Sequence, residues 1–144
     1  MNVHTILRDK GKSVATIHPD ATIDRAVAVL RLRGIGALVV SDDGENVVGI
    51  LSERDIVDAL GRYGDSLLAV KVSEVMSCPV VTCEPEDSVA DLMAEMTSRR
   101  VRHFPVLENG RLCGIVSIGD LVKSRLDEIE YEAHSLRSFI AGAA

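Results

Sequence analysis

The apolar positions of the chain fall into short clusters whose spacing alternates between two and three-to-four, and the whole series of spacings occurs twice. VATI (14–17) is a β-rich run ended by Pro19. Thr22 then stands as an N-cap before Ile23, Ala26, Val27 and Leu30, which recur at helical spacing. ALVV (37–40), the turn DDGEN and VVGIL (47–51) read as a hairpin, and a helix is predicted from Glu53. Further on, Ser88 with Asp91 gives an S-x-x-D helix start, Asn109-Gly110 supplies a hairpin turn, and a second helix is predicted from Gly119.

Residues 14–44 align with 80–110 without a gap, and one inserted residue near 45–48 restores the match into GILSERD and GIVSIGD. Val14/Val80, Thr16/Thr82, Pro19/Pro85, Arg33/Arg99, Val40/Val106 and Gly44/Gly110 coincide, and upstream NVHTIL (2–7) resembles KVSEVM (71–76). Each copy reads strand, helix, strand, strand, helix. The pair predicts an α+β fold of two β-α-β-β-α repeats about a pseudo-twofold, with two small sheets and helices packed between them. The expected layout is a first repeat with its N-terminal segment (1–60), a connector with a helix of its own (61–79), a second repeat (80–126) and a C-terminal helix (127–144). From Leu126 apolar residues fall at 126, 129, 133, 136 and 140, an a/d stripe of two heptads, short of what a free coiled coil needs. Two placements fit that stripe: a helix folded back on its own domain, or one that pairs with another subunit or a partner.

Composition narrows the function. A chain of 144 residues buries roughly 68–70% of its unfolded surface, so it needs no staple. The net charge of −6 speaks against a nucleic-acid binder, which normally shows a basic face. MNVHTILRDKGK lacks the apolar core of a signal peptide and no run is long enough to span a bilayer, so a cytoplasmic protein without membrane attachment is expected. Cys78, Cys83 and Cys113 have no C-x-x-C spacing and read as buried thiols. His4, His18, His103 and His134 are scattered, without metal-ligand spacing. There is no G-x-S-x-G, no Walker A loop and no cysteine with an evident base, so an enzyme is not expected and no catalytic cofactor is implied. Glu53 and Asp55 do not form a carboxylate pair, because positions two apart on a helix do not face each other.

The repeated phrase carries the chemistry. Gly49-Ile50-Leu51-Ser52 leads to Asp55, and Gly114-Ile115-Val116-Ser117 leads to Asp120. On one reading S-x-x-D caps a helix, the hydroxyl accepting an early N–H while the acid reaches back. On the other, a strand feeding a helix at a glycine leaves N–H groups that favour an anion, and a carboxylate beside them accepts two hydroxyls of a ribose. Spacing alone leaves both open.

The hairpin motifs IGALVV (35–40) and VRHFPV (101–106), each followed by a turn and then G-h-h-S-x-x-D (h, apolar), resemble the cystathionine-β-synthase-type (CBS) domain family over residues 2 to about 126. VHTIL, the DKGK loop and the SERD phrase look like its short stand-alone bacterial members. The resemblance implies a regulatory energy or redox sensor that binds adenosyl ligands such as AMP, ATP, NAD(H) or S-adenosylmethionine in two clefts between the repeats. It further implies a homodimer of four repeats and a regulated partner that the sequence does not name. Carried over by position, Asp55 and Asp120 would hold the riboses, with Ser52 and Ser117 near ribose or phosphate. Thr16 and Thr82 would line the adenine and ribose ends, and the backbone at Ile17 and Cys83 would face adenine. Gly36 and Ala37, and Arg102, His103 and Pro105, occupy the ligand-facing hairpin positions, and Arg54 adds a cation from the SERD phrase. Arg99 and Arg100 read as a solvated helix end, and His103 retains a core reading beside the ligand-facing one. Unequal clefts follow, one suited to AMP and the other to a dinucleotide or polyphosphate. The competing function is an interaction module that works through the C-terminal helix without a ligand.

Overall fold

The computed structural model describes residues 1–11 and 13–142. Helix α1 (Val3–Lys10) comes first, then strand β1 (Thr16–Ile17), helix α2 (Ile23–Arg33), strands β2 (Ala37–Val40) and β3 (Gly49–Ser52), and helix α3 (Glu53–Tyr63). A 3-10 segment (Gly64–Ala69) and the short helix α4 (Val72–Val75) lead to α5 (Val89–Arg99), strands β4 (His103–Glu108) and β5 (Arg111–Ser117), and helix α6 (Ile118–Gly142). The sheets are β1-β2-β3, with β1 parallel to β2 and β2 antiparallel to β3, and the hairpin β4-β5. The α+β fold with two small sheets is as expected.

The first strand of the second copy is reduced to a single parallel bridge between Cys83 and Val106. The backbone bonds of a strand are nevertheless made there: Cys83 N–H donates to Pro105 O (3.0 Å) and Leu107 N–H to Cys83 O (2.8 Å). Both hairpin turns have a visible cause. Asn109 (φ 54) and Gly110 (φ 78) adopt the two left-handed positions of a tight turn. In the longer first turn the Asp43 carboxylate accepts the N–H groups of Glu45 and Asn46 at 2.8 Å each, which holds its carboxyl down at about 2.

The core divides into two clusters, and the lead-in segments are exchanged between them. Val3, Ile6 and Leu7 of α1 pack with Val89, Leu92, Met96, Phe104, Val106, Val116 and Leu121 of the second copy. Val72 and Val75 of α4 pack with Ile23, Ala26, Leu30, Leu38, Val40 and Leu51 of the first. The same backbone bonds secure both crossings. Val3 N–H donates to Asp87 O (3.1 Å) and His4 N–H to Pro85 O (2.9 Å), just as Val72 N–H donates to Ala21 O (2.8 Å) and Ser73 N–H to Pro19 O (2.9 Å). Thr22 sits at the N-cap of α2 without a side-chain cap bond. The first N–H of the helix, that of Ile23, is taken instead by Val70 O of the connector at 2.9 Å. Val27, placed on the apolar stripe of α2, is 36% exposed, whereas Ile23, Ala26 and Leu30 are buried.

Three further expectations change. Asp9 and Lys10 lie in the last turn of α1, so the DKGK loop is shorter than expected; its Lys12 lies outside the described residues. Gly61 lies inside α3, because one glycine costs only about 1 kcal/mol and the helix is stapled by Ala59 in the core. The second-copy helix and the C-terminal helix are one element of 25 residues, α6, about 37 Å long at 1.5 Å per residue. Beyond Ser124 no described residue of α6 is buried, so it does not fold back on the domain. Its expected last residues, 143–144, lie outside the described residues.

Candidate functional site

Each S-x-x-D phrase forms a reciprocal helix cap. In the first copy Asp55 N–H donates to Ser52 Oγ (3.3 Å), while Ser52 N–H (2.9 Å) and Oγ (3.0 Å) donate to Asp55 Oδ2. In the second, Asp120 N–H donates to Ser117 Oγ (3.1 Å) and Ser117 N–H to Asp120 Oδ2 (2.9 Å). The caps start α3 and α6 and fix both carboxylates at the ends of β3 and β5.

The phrase glycines do something other than expected. Gly49 opens β3 and Gly114 lies within β5, four positions before each helix begins, so neither forms a strand-to-helix cradle. A Cβ on Gly114 would fall 2.6 Å from Leu7 Cδ2, and one on Gly49 would fall onto Met76 Sδ and 3.0 Å from Met76 Cγ. Both glycines make room for the lead-in helix of the other repeat.

The lead-ins also reach the acids. Ser77 pairs its backbone with Ile50 (2.8 and 3.1 Å) and donates its hydroxyl to Asp55 Oδ1 at 2.8 Å. On the other side Lys10 Nζ donates to Ile115 O (3.0 Å) and to Asp120 Oδ2 (2.7 Å). Burial pushes the Asp120 carboxyl up, but the Lys10 hydrogen bond, the Ser117 N–H and the Lys10 charge together hold it below its usual value. The sequence marks neither Lys10 nor Ser77 as a site residue: Lys10 lies in the DKGK phrase, which reads as a loop, and Ser77 lies in no motif. The resemblance of residues 2–7 to 71–76 marks both lead-ins as parts of the repeat.

The two repeats meet at Gly36. A Cβ there would lie 2.8 Å from Glu53 Oε1 and 3.6 Å from His103 Cε1, so the glycine admits a carboxylate of its own copy and the imidazole of the other. His103 is half-buried, which removes the pure core reading. Burial and the Lys10 charge hold its pKa below the usual imidazole value, against the pull of Asp120 and Glu53. Glu53 points across to Gly36 while Asp55 turns to Ser52 and Ser77, so the two acids do not pair.

Two clefts accompany these groups. One, of about 670 Å³, lies within the first copy and is walled by Thr16, Ile17, His18, Arg25 and Arg33; Ser52, Arg54, Asp55, Gly36 and Ala37 are not among its walls. The other, of about 390 Å³, joins Arg54 of the first copy to Met96, Thr97, Arg100, Val101, Arg102 and Ile118 of the second. Arg100 therefore faces this cleft as well as ending α5, and it does so in the left-handed conformation (φ 56), as Gly34 (φ 62) does after α2. Arg99 is spent on Glu95 at 3.0 Å. Thr82 is exposed and Ala37, Cys83 and Pro105 are buried; none of the four lines either cleft. Burial pushes the Cys83 thiol up to about 12. Cys78 is exposed, against the expectation of buried thiols, because it lies in the connector. Among the described residues no three acidic, histidine or cysteine side chains are placed to hold a metal ion, and no helix is long and apolar enough to cross a membrane.

Two copies of one β-α-β-β-α unit, each completed by the other's lead-in and each ending its hairpin in a self-capped aspartate, define a tandem-repeat module. The chain belongs to the CBS domain family, which matches it twice, over residues 10–62 and 72–127. It is 34% identical over 116 residues to the CBS domain-containing protein YhcV of Bacillus subtilis, covering 78% of this chain and 79% of that one. It is 33% identical over 148 residues to the mitochondrial CBS domain-containing protein CBSX3 of Arabidopsis thaliana, covering 97% of this chain and 72% of that one. The crystal structure of the CBS-domain containing protein ATU1752 from Agrobacterium tumefaciens superposes with a TM-score of 0.84 at 45% identity, over 87% of this chain and 99% of that one.

Proposed function

We propose that the chain is a regulatory sensor that binds adenosyl nucleotides, AMP in one site and an NAD(H)- or ATP-type ligand in the other, and that it is not an enzyme. CBS-domain pairs are generally regulatory and commonly bind adenosyl ligands, which supports the reading. The observation that carries it is the pair of equivalent carboxylates, Asp55 and Asp120, fixed by their own helix caps at 2.9 Å; a cleft between the copies, whose walls include Arg54, Arg100 and Arg102 but neither acid, adds to it. A carboxylate that is already oriented accepts two ribose hydroxyls at little entropic cost, and guanidinium groups suit phosphate oxygens. The arginine cleft fits a polyphosphate or dinucleotide. AMP falls to the first copy, whose cleft is walled by Thr16, Ile17 and His18.

The test is a thermal-shift titration of stripped protein with AMP, ATP, NAD, NADH and S-adenosylmethionine, beside Asp55→Asn and Asp120→Asn. A ligand at a hundred times its dissociation constant stabilises by about 2.7 kcal/mol, whereas a lost cap costs about 0.5–2 kcal/mol without any ligand. Saturable shifts that the substitutions weaken support the sensor. Variants that melt earlier, with no shift from any ligand, would leave the phrases as caps only.

A second reading rests on α6. Leu126, Ile129, Leu136 and Ile140 of its a/d stripe are 46–69% exposed. That face supports a homodimer or a protein partner, and light scattering of the full chain beside a Leu136→Asp, Ile140→Asp variant tests which residues hold the assembly.

A further inference from the structure

The two carboxylates differ in what the opposite lead-in brings to them. Asp55 receives a neutral hydroxyl, Ser77 Oγ at 2.8 Å, whereas Asp120 receives an ammonium, Lys10 Nζ at 2.7 Å. Resting on the nucleotide reading above, we propose that Lys10 is a charge-selecting latch of the second-copy site. It neutralises Asp120 in the empty chain and passes to the ligand's phosphate when ribose hydroxyls take the carboxylate.

The geometry suits an exchange. Lys10 is the last residue of α1, is exposed, and is followed by Gly11 at φ 93, so a flexible four-carbon stem leaves the helix end with its ammonium on Ile115 O and Asp120 Oδ2. The ammonium has three donors, and those two contacts do not exhaust them. A ribose that displaces it from Asp120 strips a charge-assisted hydrogen bond from a lysine and a partly buried carboxylate. If the ligand carries a phosphate, the ammonium exchanges one anion for another. If the ligand is an uncharged nucleoside, nothing replaces the lost partner. At Asp55 the displaced group is a hydroxyl, which water satisfies as well as the carboxylate did, so phosphate is not required there for the same reason. His103 lies within electrostatic reach of both Lys10 and Asp120, and of Glu53 and Arg102, and sets the background against which the latch acts.

Calorimetric titration of the full chain with ATP, AMP and adenosine tests the latch, using Asp55→Asn to isolate the second site and Asp120→Asn to isolate the first. In the Asp55→Asn chain, Lys10→Met lowers the preference for ATP over adenosine about tenfold, the effect of one charge-assisted hydrogen bond. The change comes from both sides, with ATP weaker and adenosine tighter. In the Asp120→Asn chain Lys10→Met leaves the preference for AMP over adenosine unchanged, and Ser77→Lys raises it. Should Lys10→Met fail to fold, Lys10→Arg keeps the charge and retains the preference, and Ser77→Lys still reports at the first site. ATP and adenosine weakening in step would mean a merely structural lysine and would overturn the latch while the nucleotide reading stands. No binding of any of the three to the unsubstituted chain would overturn both.

Discussion

The first repeat receives a neutral hydroxyl at its carboxylate from the opposite lead-in, and the second receives an ammonium at the equivalent carboxylate. Position by position, Ala37 stands where the second copy has His103 and Gly34 where it has Arg100, while Ser52/Ser117 and Asp55/Asp120 are unchanged; from the lead-ins, Ser77 reaches Asp55 and Lys10 reaches Asp120, though the two are not equivalent positions. The backbone frame is common to both: Glu53 N–H donates to Gly36 O at 3.1 Å and Ile118 N–H to Arg102 O at 2.8 Å. The lesson is that duplication fixed the helix caps and the crossings, and left the side chains around each acid free to diverge. Shared residues therefore report the scaffold, and the differing ones report selectivity.

The largest expected effect concerns the exchange of lead-ins. Leu7→Ala empties a site that is 2% exposed in the second core and should cost about 2–5 kcal/mol in chemical denaturation. Hydrogen exchange should place the loss in α5, β4, β5 and the start of α6, not in α2 and β2. Protection lost mainly in the first repeat would contradict the exchange.

Next come the phrase glycines. Gly114→Ala drives a methyl against Leu7, a branched side chain held in the core, and is expected to cost about 1–3 kcal/mol. Gly49→Ala meets Met76, an unbranched and only half-buried thioether that yields more readily, so its cost is smaller. Equal midpoints for the two variants would remove this difference between the copies.

A smaller effect, of opposite sign, belongs to the ends of α2 and α5. Arg100→Gly relieves a left-handed residue, worth about 1–2 kcal/mol, against about 0.5–1 kcal/mol of added chain entropy, so a net gain of up to about 1.5 kcal/mol is expected. It should come with weaker polyphosphate binding, since Arg100 lines the basic cleft. Gly34→Arg should only destabilise.

The smallest is a pH slope. The folded chain holds the His103 pKa below 6.5, chiefly by burial. In the window between the folded and unfolded values the unfolded chain binds more protons, so stability present above about pH 6.5 falls as the pH drops through that window. His103→Ala, which installs the first copy's residue, should flatten that part of the profile while the lower-pH loss from Asp120 remains. An unchanged profile would remove His103 from the account.

The order of elements, both hairpins and both helix starts were legible because each rests on local chemistry: a change of apolar period, an Asn-Gly turn, a serine three residues before an acid. The partners of those acids were not. Lys10 and Asp120 are 110 positions apart, and a lysine in a first helix looks like any solvated charge until the fold brings it across. The glycines of the phrase were assigned to the wrong task for a related reason. Their neighbours, Leu7 and Met76, come from outside the phrase, and no spacing within it reveals that the space is taken. Arg100 was read as a helix end and is one, but its left-handed φ also turns it toward the cleft, a consequence of backbone geometry that residue type does not announce.

The exchange of α1 and α4 bears on how the chain comes into being. During synthesis the first repeat can close as soon as Val75 has emerged, because its missing piece follows it directly. Residues 3–10 precede all their core partners in the second repeat, so their docking there waits until Leu121 has been made. A half-length ancestor would have faced the same demand without a second half, and could have met it only by borrowing the segment from another copy of itself. The fused chain turns that encounter between molecules into an event within one, in which the earliest segment to appear is the last to find its place.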